Sequence, residues 1–290
     1  MYPELFKIGP LTVYSYGLML GISFILGSYF LNKQIERKKL DPNIATETTL
    51  LAIVFGVAGG KLFHLFEHWN QFIADPIGMA FSPGGLTFYG GLILAIIAIY
   101  IYIRRKKIPF LVLADAAAPS LALSYGIGRI GCHLAGDGDY GIPTDLPWGM
   151  LYSNGTVPPS VIFNTEEMAK QFPSVMAKFP NGVPDTATLH PTPLYEFMVG
   201  VIIFYVLWKL SKKDWIDGKL FMLYLILSGT ARLLVEFIRL NPRLMFGLSE
   251  AQLISAGLIV IGIAGWSHFM YHKELVKFVP PPLKPKENKK

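Results

Sequence analysis

LTVYSYGLMLGISFILGSYFL, residues 11–31, runs for 21 positions without one charged side chain. A helix rises about 1.5 Å per residue, so this stretch reaches about 30 Å, the thickness of a bilayer's hydrocarbon core. Two more charge-free runs follow, residues 86–103 and 253–271. Four others are interrupted: 50–66 holds Lys61, 110–127 holds Asp115, 194–208 holds Glu196, and 220–237 holds Arg232 and Glu236. The pattern predicts an all-α polytopic membrane protein of about seven transmembrane helices. Composition agrees, with 52% hydrophobic and 16% charged residues and a mean hydropathy of +0.42, where soluble domains are nearer one-quarter charged.

The first run is not read as a cleavable signal peptide, because it is too long and no small-residue cleavage site follows it. With one cysteine, Cys132, an internal disulfide or a zinc ribbon is excluded.

Basic residues cluster at alternate connections. Lys33, Arg37, Lys38 and Lys39 follow the first run, Arg104 to Lys107 the third, and Lys209, Lys212, Lys213 and Lys219 the fifth. With six lysines after residue 272, 18 of the 26 basic residues fall on one side. The positive-inside rule makes that side cytoplasmic and leaves the N-terminus outside. These clusters sit at span ends, so the basic charge marks topology and not a nucleic-acid partner. Residues 1–272 read as a single integral-membrane domain, and 273–290 as a basic, disordered cytoplasmic tail.

Most connections are short. The exception is an outward-facing stretch, 128–192, between the fourth and fifth helices. Trp148, Met150, Leu151, Tyr152, Val161 and Phe163 give it apolar surface enough for a small extracytoplasmic head. Within it Asn164 or Thr165 can cap a short helix over 165–172.

Charges inside spans demand an explanation, since Arg at a helix centre costs about 2.5–3.5 kcal/mol even on the lenient insertion scale. Arg232, Glu236 and Arg239 fall at i, i+4 and i+7, one helical face. GRIGCHLAGDGDYG, residues 128–141, follows the fourth span with Arg129 at its start and five glycines. Guanidinium forks suit phosphate, and glycines let backbone approach an anion closely. The reading is an outward-opening, cation-lined cavity for a lipid headgroup.

On these motifs the chain resembles the prolipoprotein diacylglyceryl transferase family. The resemblance runs through Phe6-Lys7-Ile8-Gly9-Pro10, Tyr14-Ser15-Tyr16-Gly17-Leu18 and Gly59-Gly60-Lys61. It continues through Gly84-Gly85-Leu86-Thr87-Phe88-Tyr89-Gly90-Gly91, Ala114-Asp115, Gly128-Arg129-Ile130-Gly131 and His190-Pro191-Thr192-Pro193-Leu194-Tyr195-Glu196. It closes with Arg232-Leu233-Leu234-Val235-Glu236-Phe237-Ile238-Arg239 and Gly247-Leu248-Ser249-Glu250-Ala251-Gln252-Leu253. It implies seven helices, N-terminus out, in the bacterial cytoplasmic membrane. It also implies transfer of diacylglyceryl from phosphatidylglycerol to the lipobox cysteine thiol in a prolipoprotein signal peptide, with glycerol phosphate released and no cofactor or metal.

Catalytic expectations fall on Tyr16, Tyr89, Arg129 and Arg232, and headgroup binding on Arg129, Arg232, Arg239, Glu236 and Gly131. Cys132, His133, Asp137, Asp139, Glu196 and Lys61 are supporting positions. Four departures stand out. Tyr89 replaces the family's histidine, Cys132 an asparagine, and Lys61 a common arginine, while Asp137 and Asp139 both offer the family's acid. The base is therefore open between Tyr89 and His133. Cys132 reads as a small buried filler.

Two other classes remain. One is an inactive family member that binds phospholipid as a scaffold. The other is a membrane metalloprotease, because His64-Leu65-Phe66-Glu67-His68 matches the HxxEH pattern.

Overall fold

The computed structural model describes residues 1–9, 11–82, 85–271 and 278–279. Pro10, Gly84 and all of the expected tail except Phe278 and Val279 lie outside the described residues. The chain opens with strand β1 (Glu4–Ile8) antiparallel to β2 (Leu11–Tyr14), then enters α1 (Ser15–Arg37). Next come α2 (Asn43–Glu67), the short α3 (Trp69–Ala74) and α4 (Pro76–Phe81), α5 (Phe88–Arg105) and α6 (Phe110–Ala135). The long connection holds β3 (Met150–Leu151), α7 (Pro159–Phe163), α8 (Glu166–Gln171), α9 (Pro173–Lys178) and β4 (Thr188–Leu189). The remainder is α10 (Thr192–Leu210), α11 (Lys219–Val235), a hairpin of β5 (Arg243–Met245) and β6 (Leu248–Ser249), and α12 (Glu250–Tyr271).

The protein is an all-α polytopic membrane protein. Among the described residues α1, α2, α5, α6, α10 and α12 are long and apolar enough to cross a membrane. The seventh expected span, α11, has 17 residues, at the lower limit for spanning. Of the boundaries that differ from the sequence reading, three bear on the site. Leu11–Tyr14 pairs as a strand, so the first span starts at Ser15. The fourth runs past residue 127 to Ala135 and absorbs Arg129 and Gly131 into helix. The sixth stops at Val235, because the Ile238 carbonyl accepts from Ile142 N at 2.9 Å and the following residues bridge to Gly141.

Two compact units divide the chain. One joins Met1–Gly27 to Ala117–Lys277, and the other takes Ser28–Ala116 with Phe278–Lys290. In the second, α2 and α5 meet through glycines. A Cβ on Gly59 would stand 2.4 Å from the Gly90 carbonyl oxygen, and one on Gly91 would stand 2.6 Å from that of Gly56. Small residues that bring backbones this close are how helices associate in lipid, where burying apolar surface gives no net drive. Asp115, the acid inside the fourth span, pairs with Lys38 at 3.8 Å within the same unit.

In the first unit, Ser23 and Ser124 bond reciprocally between α1 and α6, each hydroxyl donating to the other's carbonyl at 3.0 and 3.1 Å. Gly126 and Gly200 let α6 and α10 close, since Cβ atoms there would lie 3.2 Å from the Phe197 oxygen and 3.0 Å from the Ala122 oxygen. The long connection packs its own core around Tyr140, Tyr152, Phe163, Met168, Val183 and Leu189. Of the apolar residues expected there, Tyr152 and Phe163 are fully buried, whereas Trp148, Leu151 and Val161 stay exposed. Helix α8 starts as anticipated, with Thr165 Oγ1 accepting from Met168 N at 3.3 Å.

Candidate active site

Glu196 lies one turn into α10, buried, and three arginines from three segments converge on it. Arg232 Nη1 of α11 donates to Oε1 at 2.7 Å, and Arg239 Nη1 to Oε2 at 2.8 Å. Arg129 Nε of α6 stands 3.6 Å from Oε2. The Tyr125 hydroxyl also donates to Oε1, and the Tyr125 ring lies beneath Arg129, whose guanidinium carbon is 4.9 Å from the ring centroid.

Two further carboxylates complete the array. Asp139, in the loop after α6, bridges Arg129 and Arg239 with its two oxygens. Burial by itself would raise the Asp139 carboxyl, but Arg239 and Arg129 hold it below the ordinary carboxylate range. Its neighbour Asp137 goes the other way, pushed up by burial and by the Asp139 charge. Glu236, the last-turn cap of α11, forms an ion pair with Arg232 Nη2 at 3.1 Å. It also accepts from Asn241 Nδ2 at 2.5 Å and Ser249 Oγ at 2.8 Å. Three guanidinium charges thus face Glu196, Glu236 and Asp139, and the cluster is formally neutral.

The arginines are unequal. Arg239 is 4% exposed, while Arg129 and Arg232 keep 19% and 23% of their side-chain surface open. An apolar hollow of about 530 Å³ opens in the same unit, lined by Trp148, Met150, Leu194, Tyr195, Met198 and Ile238 among others. Tyr195 directly precedes Glu196, and Ile238 directly precedes Arg239.

The sequence matches the prolipoprotein diacylglyceryl transferase family over residues 3–268. The chain belongs to this family. One relative, the phosphatidylglycerol–prolipoprotein diacylglyceryl transferase of Clostridium tetani (strain Massachusetts / E88), is 32% identical over 265 residues, 91% of this chain and 96% of the relative. The protein of that name from Vibrio cholerae serotype O1 (strain M66-2) is 32% identical over 272 residues, 90% and 89% of the two chains. That of Parasynechococcus marenigrum (strain WH8102) is 28% identical over 278 residues, 91% and 92%.

Gly131 sits inside α6, and a Cβ on it would lie 3.2–3.3 Å from Met19 and Tyr16, so its bareness seats α1 rather than opening backbone to an anion. Tyr16 is 45% exposed on α1. Cys132 is buried, with its Sγ 3.7 Å from Arg129 Nη1. His133 turns to the core of the long connection, where its Nδ1 lies 3.0 Å from the Tyr152 hydroxyl; burial pushes that phenol's pKa up. Tyr89 and Lys61 belong to the other unit. Tyr89 stands in the first turn of α5, and Lys61 Nζ donates to Ser82 O and Oγ at 2.9 and 2.8 Å.

Sequence reasoning ranked Glu196 as a supporting residue, whereas it is the hub. It gave no role to Tyr125 or Asn241, and Ser249 appeared only within the closing motif. Tyr125 had a signal, one turn before Arg129 on the same helix face. Arg239 was read on a continued helix, but it reaches the cluster from the turn beyond α11.

Proposed function

We propose that this chain transfers the diacylglyceryl group of phosphatidylglycerol to the lipobox cysteine thiol of prolipoproteins and releases glycerol phosphate. The observation that carries the reading is the convergence of three arginines on Glu196 in a chain of this family. The thiolate sulfur forms a bond to the glycerol carbon as the carbon–oxygen bond to phosphate breaks, and the leaving phosphate keeps the electron pair. Cations aimed at that phosphate stabilise the transition state more than the ground state. The exposed faces of Arg129 and Arg232 support their assignment to the phosphate, and the enclosed Arg239 supports a positioning role shared with Glu236 and Glu196.

Because the array is formally neutral, an incoming phosphate must displace a carboxylate. Asp139 is the one to yield, since it lies on a loop and is 27% exposed, while Glu196 and Glu236 are 4% and 1%. The acceptor thiol, with a pKa near 8.5, needs its proton removed. Tyr89, at the family's histidine position, is the base we assign. The engagement of His133 with Tyr152 argues against it as the base.

We read the lysine-rich side as cytoplasmic and the N-terminus as outside, in the bacterial cytoplasmic membrane. On this reading residues 1–272 are one membrane domain with an extracytoplasmic head, and 273–290 a cytoplasmic tail. The test is mass spectrometry of a precursor lipoprotein incubated with this protein and phosphatidylglycerol. A diacylglyceryl adduct on the lipobox cysteine is expected. A precursor left unmodified by a protein that still binds the lipid would make the chain a scaffold and overturn the assignment.

A further inference from the structure

His64, Glu67 and His68 lie at the end of α2, and the transfer chemistry uses none of them. Their i, i+3, i+4 spacing sets three side chains on one helical face. One ligating atom from each lies within 4.8 Å of the other two, and the imidazole centroids are 4.3 Å apart with planes tilted by 39°. A frayed helix end rich in polar residues would account for that much.

It would not account for how each group is held. His68 Nδ1 stands 3.1 Å from the His64 carbonyl oxygen. A carbonyl only accepts, so Nδ1 carries the proton and Nε2 keeps its lone pair. The Thr87 hydroxyl donates to Glu67 Oε2 at 2.7 Å, which leaves Oε1 to coordinate. Gly85, at φ +70°, backs His64, and a Cβ there would stand 2.3 Å from His64 Nε2. Both the backbone and the space at that position call for glycine. Lys61, one turn earlier, has its ammonium on Ser82.

We propose that His64, Glu67 and His68 form a binding site for a borderline divalent transition metal, zinc in the first instance. Two imidazoles and a carboxylate are a donor set that zinc accepts, with water in the fourth place. Zinc–ligand bonds of about 2.0–2.2 Å in tetrahedral array put ligand atoms about 3.4 Å apart. The present spread, up to 4.8 Å, closes by small shifts of the exposed Glu67 that keep its Thr87 hydrogen bond. Using Glu67 as a ligand removes it as a general base, so the site is structural, bracing the last turn of α2, and not a hydrolytic centre. It ties the end of α2, through Thr87, to the start of α5.

The full-length protein, purified in detergent and stripped with a chelator, is titrated with Zn²⁺ against a chromophoric competitor. The same sample is loaded with Co²⁺ and its visible spectrum recorded. One equivalent of zinc is expected for the wild type, with His68→Ala weakening it at least tenfold. Thr87→Val should weaken it about tenfold, because losing an orienting hydrogen bond on a ligand costs 10–100-fold. Glu67→Gln should shift the Co²⁺ bands, and circular dichroism checks that each variant keeps its helix. Zinc uptake unchanged in His68→Ala, or abolished instead by His268→Ala, overturns the site. Peptide hydrolysis by the zinc-loaded wild type overturns the structural role.

Discussion

Glu196 and Arg239 form an ion pair enclosed from both sides, 2.8 Å apart with each side chain 4% exposed. Removing one member of such a pair strands a charge where water cannot reach it, at about 3–5 kcal/mol. Glu196→Gln should therefore lower the thermal stability of the detergent-solubilised protein sharply. The double variant Glu196→Gln, Arg239→Met should lose less than the sum of the two singles. Strict additivity would show that the pair is not coupled.

Arg129→Ala or Arg232→Ala should abolish transfer while leaving the protein inserted. Lysine at either position should restore little, because an ammonium lacks the planar fork that spans two phosphate oxygens. Turnover on a lipobox peptide measures this, and near-wild-type rates in both alanine variants would remove the phosphate assignment.

Asp139 links the array to pH. Its carboxyl is held below the ordinary range, which for an unperturbed aspartate is near 3.9. Its contribution to stability is thus fully present above about pH 4 and is lost as pH falls through the lower folded value. Asp139→Asn should reduce stability at neutral pH and flatten the acid side of the profile. If a phosphate displaces Asp139 from Arg129, the same variant should lower KM for phosphatidylglycerol. An unchanged KM would mean that Asp139 stays in place during binding.

Tyr89→Phe should cost about 10²–10⁴-fold in turnover if the phenol serves as base. Wild-type turnover in Tyr89→Phe, together with an inactive His133→Ala, would transfer the role to His133 despite its hydrogen bond to Tyr152.

Orientation is tested by reporter fusions. Those at Lys38, Lys106 and Lys213 should report cytoplasm, and one at Asn181 the outside. A cytoplasmic signal at Asn181 would invert the protein and place the arginine cluster on the wrong leaflet.

The helices could be read from the chain alone because crossing a bilayer is a local demand. About 20 apolar residues in a row satisfy it wherever they lie, and each of the seven runs became a helix. Arg129, Glu196, Arg232, Glu236 and Arg239 were legible for the same reason, as charges that a membrane segment carries only with partners. The partnerships themselves were not local. Glu196 meets Arg129 because Gly126 and Gly200 let α6 and α10 close together, and Arg239 arrives from a turn set by Ile142 and Gly141. Asp139 joins them from a loop whose path depends on a separately packed core, with Thr192 Oγ1 donating to its carbonyl at 2.5 Å. Gly90 and Gly91, read as part of a functional frame around Tyr89, are the contact surface of α5 on α2. A residue's chemistry is written in its side chain. Which charge it faces is decided by how closely the backbones of distant segments approach, and packing alone sets that distance.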